Sequence, residues 1–141
     1  MWLRPTVMAI FLSGCTVPVG SVPDAAPCAP SPKFFASDVW SGYVEPNQCA
    51  TPGCHGFSDG HGYLRYRPPG GAIDPTLALA DWPEAWRDNY YQSIQLVNCA
   101  QPLASRLLSV PEGKADPHPP GPSVAIPQQA EQLFQDWVTA Q

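Results

Sequence analysis

A small, mainly α, loop-rich domain is what the sequence predicts, and three observations predict it. Its 141 residues include 19 prolines, well above the average of about 5%, so regular elements must be few and short. Three segments carry apolar residues at helical spacing, and only Tyr63, Leu64, Arg65 and Tyr66 make a plausible strand. Ser31 and Pro32 open the first helix, because a serine hydroxyl accepts a hydrogen bond well at the N-cap and proline suits the first helical position. Phe35, Val39 and Tyr43 then recur on one face, and the helix should end between Gly42 and Pro46, with Trp40 near its end. Gly56 to Pro69 is turn-rich, and the Pro68, Pro69, Gly70, Gly71 run stops the strand. The second helix begins at Asp81, Trp82, Pro83 and Glu84, a variant of the capping box with Pro83 in the first turn. Its apolar stripe is Trp82, Trp86, Tyr90, Ile94 and Val97, ending at about Val97 or Asn98. Pro102 to Val110 holds a short helical turn with Leu103, Leu107 and Leu108, followed by a proline-rich loop containing His118. The last helix starts near Pro127 with the stripe Ala130, Leu133, Phe134, Trp137 and Val138. Helical spacing alone explains these aromatics as core.

Charge and motifs exclude several function classes. Seven basic residues oppose twelve acidic ones, and the basic ones are scattered, with no stripe to neutralise phosphates, so nucleic acid is not a partner. There is no Gly-x-Ser-x-Gly elbow and no His-Glu-x-x-His run to support a hydrolase.

The N-terminus fixes the compartment. Met1 to Arg4 carries one positive charge, and Thr6 to Leu12 is mostly apolar, far short of the roughly 20 residues that span a bilayer. With Leu12, Ser13, Gly14 and Cys15 following, the segment resembles a bacterial lipoprotein signal. That resemblance implies cleavage before Cys15, a lipid on Cys15, and, with Thr16 where Asp would retain the protein at the inner membrane, anchorage at the outer membrane facing the periplasm or the cell surface. Residues 1–14 then form the signal, 15–31 a lipid-anchored flexible linker containing Pro18, Gly20, Pro23 and Pro27, and 32–141 a single folded domain. Export makes oxidised cysteines permissible.

If lipid consumes Cys15, four cysteines remain: Cys28, Cys49, Cys54 and Cys99, which disulfides alone could pair in three ways. Cys49, Cys54 and His55 form a run, two cysteines with a histidine directly after the second, which is the arrangement covalent c-type haem attachment requires. The usual run has two residues between the cysteines, and here Ala50, Thr51, Pro52 and Gly53 intervene. Thioether bonds from Cys49 and Cys54 would hold the porphyrin edge while the His55 imidazole reaches the iron. Two rivals stand beside haem. One is a plain Cys49–Cys54 disulfide, which needs no adjacent histidine; the other is zinc, for which neighbouring Cys54 and His55 are awkward partners on one tetrahedral ion. If both cysteines bond haem, Cys28 and Cys99 are left as a disulfide pair closing a long loop, worth about 4 kcal/mol in the chain-entropy model. Met1 and Met8 are the only methionines and both lie in the expected signal, so Met/His ligation is excluded if that signal is removed. The remaining imidazoles are His61 and His118. We take His118 as the second axial ligand, with His61 as the alternative and simple solvent exposure as the ordinary fate of a loop histidine.

The chain resembles the small monohaem c-type cytochrome domains of exported and lipid-anchored proteins of Gram-negative, especially deltaproteobacterial, bacteria. The likeness covers about residues 33–140 and rests on Phe34 to Val39, Cys49 to His55, Phe57, Leu64, Arg65, Asn89 to Tyr91, Pro102 to Leu108, His118, and Phe134 to Trp137. It implies a cytochrome c-like helical fold with N- and C-terminal helices packed beside one covalent haem c. It also implies single-electron transfer between redox partner proteins, an electron carrier before an enzyme. The family's loop histidine is commonly followed by glycines, whereas His118 is followed by Pro119, Pro120 and Gly121. The reading of a different class is a cofactor-free, disulfide-stapled lipoprotein acting as a structural or binding module.

Overall fold

The computed structural model describes residues 29–57, 64–113 and 128–140, and within them the chain is helical with no strand. Helix α1 (Pro32–Phe34) begins as expected, with the Ser31 hydroxyl accepting from the Phe34 N–H at 3.3 Å and Pro32 in the first turn. It continues directly into a π-helix, Phe35–Val44. The wider winding persists past its end, where the Glu45 N–H donates to the Trp40 carbonyl at 2.9 Å and the Cys49 N–H to that of Val44 at 3.0 Å. Its buried positions fall in pairs every four residues: Phe35 and Ala36, Val39 and Trp40, Tyr43 and Val44. Residues four apart share one face of a helix, so all six side chains turn toward the core.

Helix α2 (Glu84–Ile94) departs from expectation at both ends. Asp81 does not cap it: Asp81 closes a separate 3₁₀ turn, Leu79–Asp81, and Pro83 occupies the N-cap with no side-chain bond. The residue before a proline is pushed out of the helical region, and Trp82, at φ −69° and ψ 148°, is extended. The capping distance is thereby broken. At the other end the backbone tightens, Leu96 N–H to Ser93 O at 3.0 Å and Val97 N–H to Ile94 O at 3.2 Å, so Val97 lies beyond the helix. A 3₁₀ turn at Pro102–Ala104 and α3 (Arg106–Ser109) follow, with Leu107 and Leu108 buried and Leu103 exposed. Helix α4 (Gln128–Thr139) closes the described chain and buries Ala130, Phe134 and Trp137.

The core is ring against ring. Phe35 lies 5.6 Å from both Trp137 and Tyr90, Tyr43 5.1 Å from Phe134, and Trp40 5.3 Å from both Tyr66 and Trp86, measured between centroids. The first helix therefore packs on α4 through Phe35 and Tyr43 and on α2 through Phe35 and Trp40. Four of the polar ring atoms find a backbone carbonyl, the kind of partner that buried indoles and phenols require. Trp137 Nε1 donates to Ser31 O at 3.0 Å, Tyr90 Oη to Pro30 O at 2.5 Å, Tyr43 Oη to Leu107 O at 2.8 Å and Trp86 Nε1 to Gly71 O at 3.1 Å. Pro30 is itself buried, so the packed unit takes in Pro30 and Ser31. No helix among the described residues is long and apolar enough to cross a membrane.

The expected strand is absent. Tyr66 makes one isolated parallel bridge with Gly56, and Tyr63 lies outside the described residues.

One backbone angle invites substitution. Gln48 has φ 55°, the left-handed region, where an L side chain costs about 1–2 kcal/mol and glycine forfeits roughly 0.5–1 kcal/mol of chain entropy. The first term is larger, so Gln48→Gly should raise the urea midpoint by about 0.5–1 kcal/mol of stability, whereas β-branched Gln48→Val should lower it.

Candidate functional site

The segment from Glu45 to Phe57 is a run of turns that folds Cys49, Cys54 and His55 into one closed loop. Thr51 organises it: its N–H and its Oγ1 both donate to Gln48 O, at 3.1 and 2.8 Å, and its carbonyl accepts from Cys54 N–H at 3.1 Å and Gly56 N–H at 3.0 Å. His55 N–H donates to Cys49 O at 2.9 Å, tying the histidine back to the first cysteine. The four residues between the cysteines are thus absorbed in a turn, with Gly53 at φ 85° at its tip. This accounts for how a longer gap still brings the three residues together. Gly56 is required by space: a Cβ there would come within 2.9 Å of the Thr51 carbonyl group and the Pro52 nitrogen.

Both thiols are free, and they differ. Cys49 is half-buried and packed against the aromatic core; Cys54 is exposed. Burial, and then the nearby Cys54 thiol, push the Cys49 thiol from about 9 up to about 11. Tyr43 and Tyr66 flank Cys49, and burial holds both phenols well above their ordinary range. Tyr90 is pushed up to about 12, by burial and then by its neighbour Tyr91. A group held protonated in the folded chain stabilises it below the unfolded pKa and stops doing so as pH rises through the folded value. For Cys49 that window is pH 9 to 11 and for Tyr90 pH 10 to 12, so urea midpoints of haem-free protein should fall progressively above pH 9. In the same preparation iodoacetamide should label Cys54 before Cys49 at pH 8, read by peptide mass mapping, because the thiolate is the nucleophile and only Cys54 is exposed.

A second element fixes the loop from behind. Tyr66 N–H donates to His55 O at 2.6 Å, and the residues on either side of Tyr66 are held by two amide side chains of α2. Asn89 Oδ1 accepts from Arg67 N–H and its Nδ2 donates to Arg67 O, both at 2.8 Å. Gln92 does the same for Arg65, with both bonds at 2.5 Å. The Tyr66 hydroxyl pairs with Ser93 Oγ at 2.9 Å, while Ser93 donates to Asn89 O. Outside this clamp, Arg67 lies 4.6 Å over the exposed Phe57 ring and pairs with Glu84 at 3.1 Å and Asp88 at 2.9 Å. Those pairs are half-exposed and contribute little to stability.

Cys49, Cys54 and His55 are brought together by the fold, but they do not converge as a metal-binding trio. Among the described residues no group of three or more His, Cys, Asp or Glu is placed to hold a metal ion, and the second histidine of a zinc site, His61 or His118, lies outside them. Thioether attachment makes a different demand, since only the imidazole need reach the iron while the sulfurs bond the porphyrin edge. The residues fit that demand: two unpaired thiols and a histidine on one closed loop. The open groove of about 200 Å³ between the first helix and α4 is a separate feature, lined by Gly42, Tyr43, Asn47, Gln129, Ala130 and Leu133 and by no cysteine. Cys99 is disulfide-bonded, and since Cys49 and Cys54 are free its partner lies outside the described residues. Cys15, Cys28, His61 and His118 also fall outside them.

Sequence reasoning gave no role to Gly56 or Gln92, and named Asn89 only among the residues that carry the resemblance. The signal for Asn89 was present: Trp86, Asn89, Tyr90 and Ser93 share one face of α2 and all are buried, so a polar pair sits within the apolar stripe. No family model, curated protein or solved structure matches this chain.

Proposed function

We propose that the chain is a lipid-anchored c-type cytochrome that carries one covalent haem and passes single electrons between redox partner proteins of the periplasm or outer membrane. The observation that carries this reading is the pair of free thiols at Cys49 and Cys54, on one hydrogen-bonded loop that includes His55, in a chain whose Cys99 is disulfide-bonded. Cys49 and Cys54 would hold the porphyrin through thioethers, His55 would be one axial ligand and His118 the second. The haem, when bound, supplies the one-electron iron couple, and His/His ligation gives it a lower potential than Met/His would. The chain's own residues bind, orient and shield it. The rest of the reading is a lipid on Cys15, a Cys28–Cys99 disulfide and a cytochrome c-like fold, which the packing of the first helix on α4 supports.

Protein matured in a host with haem-attachment machinery should be coloured, with a Soret band that survives denaturation and disappears in Cys49→Ala plus Cys54→Ala. A colourless wild-type protein from that host would sink the reading. A His118→Ala protein whose reduced spectrum stays six-coordinate would remove His118 from the iron.

The second reading, a cofactor-free module, is favoured by a different observation. The aromatic rings of the described core pack directly on one another, with centroids 5.1 to 6.4 Å apart, so the described helices already share a core of their own. The same spectrum separates the two.

A further inference from the structure

We infer that Asn89 and Gln92 are positioning residues for His55, acting through the backbone of Arg65, Tyr66 and Arg67. The inference rests on the haem reading for its consequence, but the geometry stands on its own. In an extended segment the N–H and C=O groups of residues i and i+2 point to one side and those of residue i+1 to the other. Arg65 and Arg67 turn theirs to α2, and Tyr66 turns its N–H to His55 O at 2.6 Å. Helix α2 replaces a neighbouring strand. Residues three apart on a helix are about 4.5 Å apart along its axis, while alternate residues of an extended chain are about 6.6 Å apart. The mismatch is taken up by side-chain length: the shorter Asn89 serves Arg67 and the longer Gln92 reaches Arg65.

The clamp is built to be stiff. Asn89 is fully buried, and both polar atoms of its amide are used. Tyr66, also fully buried, is held by its ring against Trp40 at 5.3 Å and by its hydroxyl on Ser93, one turn along the same helix from Asn89. His55 is therefore fixed on both sides of its peptide unit, by its N–H on Cys49 O and by its carbonyl on Tyr66 N–H. Any slack at Arg65 or Arg67 reaches the His55 carbonyl through one hydrogen bond.

The test uses the half-buried Gln92 first, because Asn89→Ala leaves two buried backbone groups unpaired and risks general unfolding. In haem-free full-length Gln92→Ala, the Tyr66 amide should exchange with solvent at least tenfold faster than in wild type, while the Phe134 amide on α4 keeps its rate. Gln92→Glu, which retains the acceptor for Arg65 N–H and loses the donor, should fall between the two. In haem-loaded protein, the pH at which acid displaces His55 from the iron, followed by the absorption spectrum, should move upward in Gln92→Ala, consistent with about a tenfold weaker hold. An unchanged Tyr66 rate, equal acceleration at Tyr66 and Phe134, or a wild-type displacement midpoint beside faster Tyr66 exchange would each overturn the inference. A colourless wild-type protein would instead sink the haem reading, and the exchange rates would then decide whether Asn89 and Gln92 position the loop.

Discussion

Trp137→Ala should remove a large share of the domain's stability. The indole is completely buried, lies 5.6 Å from Phe35 and 5.8 Å from Phe134, and donates to Ser31 O at 3.0 Å. Truncating a core Trp or Phe to alanine costs about 3–5 kcal/mol, and the Ser31 carbonyl keeps its other donor, the Phe35 N–H at 3.0 Å, so the lost indole bond adds little to that. Small domains hold only about 5–15 kcal/mol in all. The thermal midpoint should therefore drop by at least about 12 °C, given about 4–8 °C per kcal/mol for a domain near this size, with circular dichroism as the readout. Trp137→Phe keeps the ring contacts and loses the hydrogen bond, so it should cost about 1–2 kcal/mol. If both variants fall by the same small amount, the pairing of the first helix with α4 is not what holds the domain.

Gly56→Ala should be the more damaging of two glycine changes in the cysteine loop, although Gly56 has an ordinary φ. Its new methyl group would meet backbone atoms of Thr51 and Pro52 at 2.9 Å, and backbone cannot swing aside as a side-chain tip can. Thr51 also carries the two hydrogen bonds that close the loop. Overpacking of this kind costs about 1–3 kcal/mol, and the upper end is expected because relieving the clash opens the Gly56 to Thr51 bond. Gly53→Ala meets nothing within 4 Å, and its cost is only that of a left-handed φ of 85°, about 1 kcal/mol. Urea midpoints of the two variants compare them directly, and a larger loss at Gly53 would contradict the account.

The helices were legible because burial follows period. Ser31 and Pro32 marked the start of α1 correctly, and Phe35, Val39, Tyr43, Trp86, Tyr90, Phe134 and Trp137 are all buried where the stripes put them. What failed was governed by neighbouring backbone. Trp82 carries the stripe's spacing and is buried, yet it is not helical, because Pro83 forces it extended. The π-winding of Phe35–Val44 shows in hindsight as apolar pairs four apart, a period that reads as helix without declaring which kind. At the site, the adjacency of Cys54 and His55 was visible as spacing. The folding of the four-residue gap was not, since it depends on Thr51 accepting two bonds, and nothing about a threonine before Pro-Gly announces that. The clamp made by Asn89 and Gln92 was hidden for a related reason, although Asn89 stood out as a polar residue on the apolar face: their partners are backbone groups more than twenty residues away, and backbone groups leave no trace in composition.

The clamp on Arg65 to Arg67 also bears on how copies of this chain meet each other. An extended stretch with open N–H groups is a template on which another chain can add a strand and start aggregation. Here all three N–H groups are already engaged, two by amide side chains of a helix and one by the loop carbonyl of His55. Such a covered edge offers no rung to an incoming strand. The same bonds that steady the histidine therefore guard the domain against self-association, and Gln92→Ala should expose that hazard along with the slack.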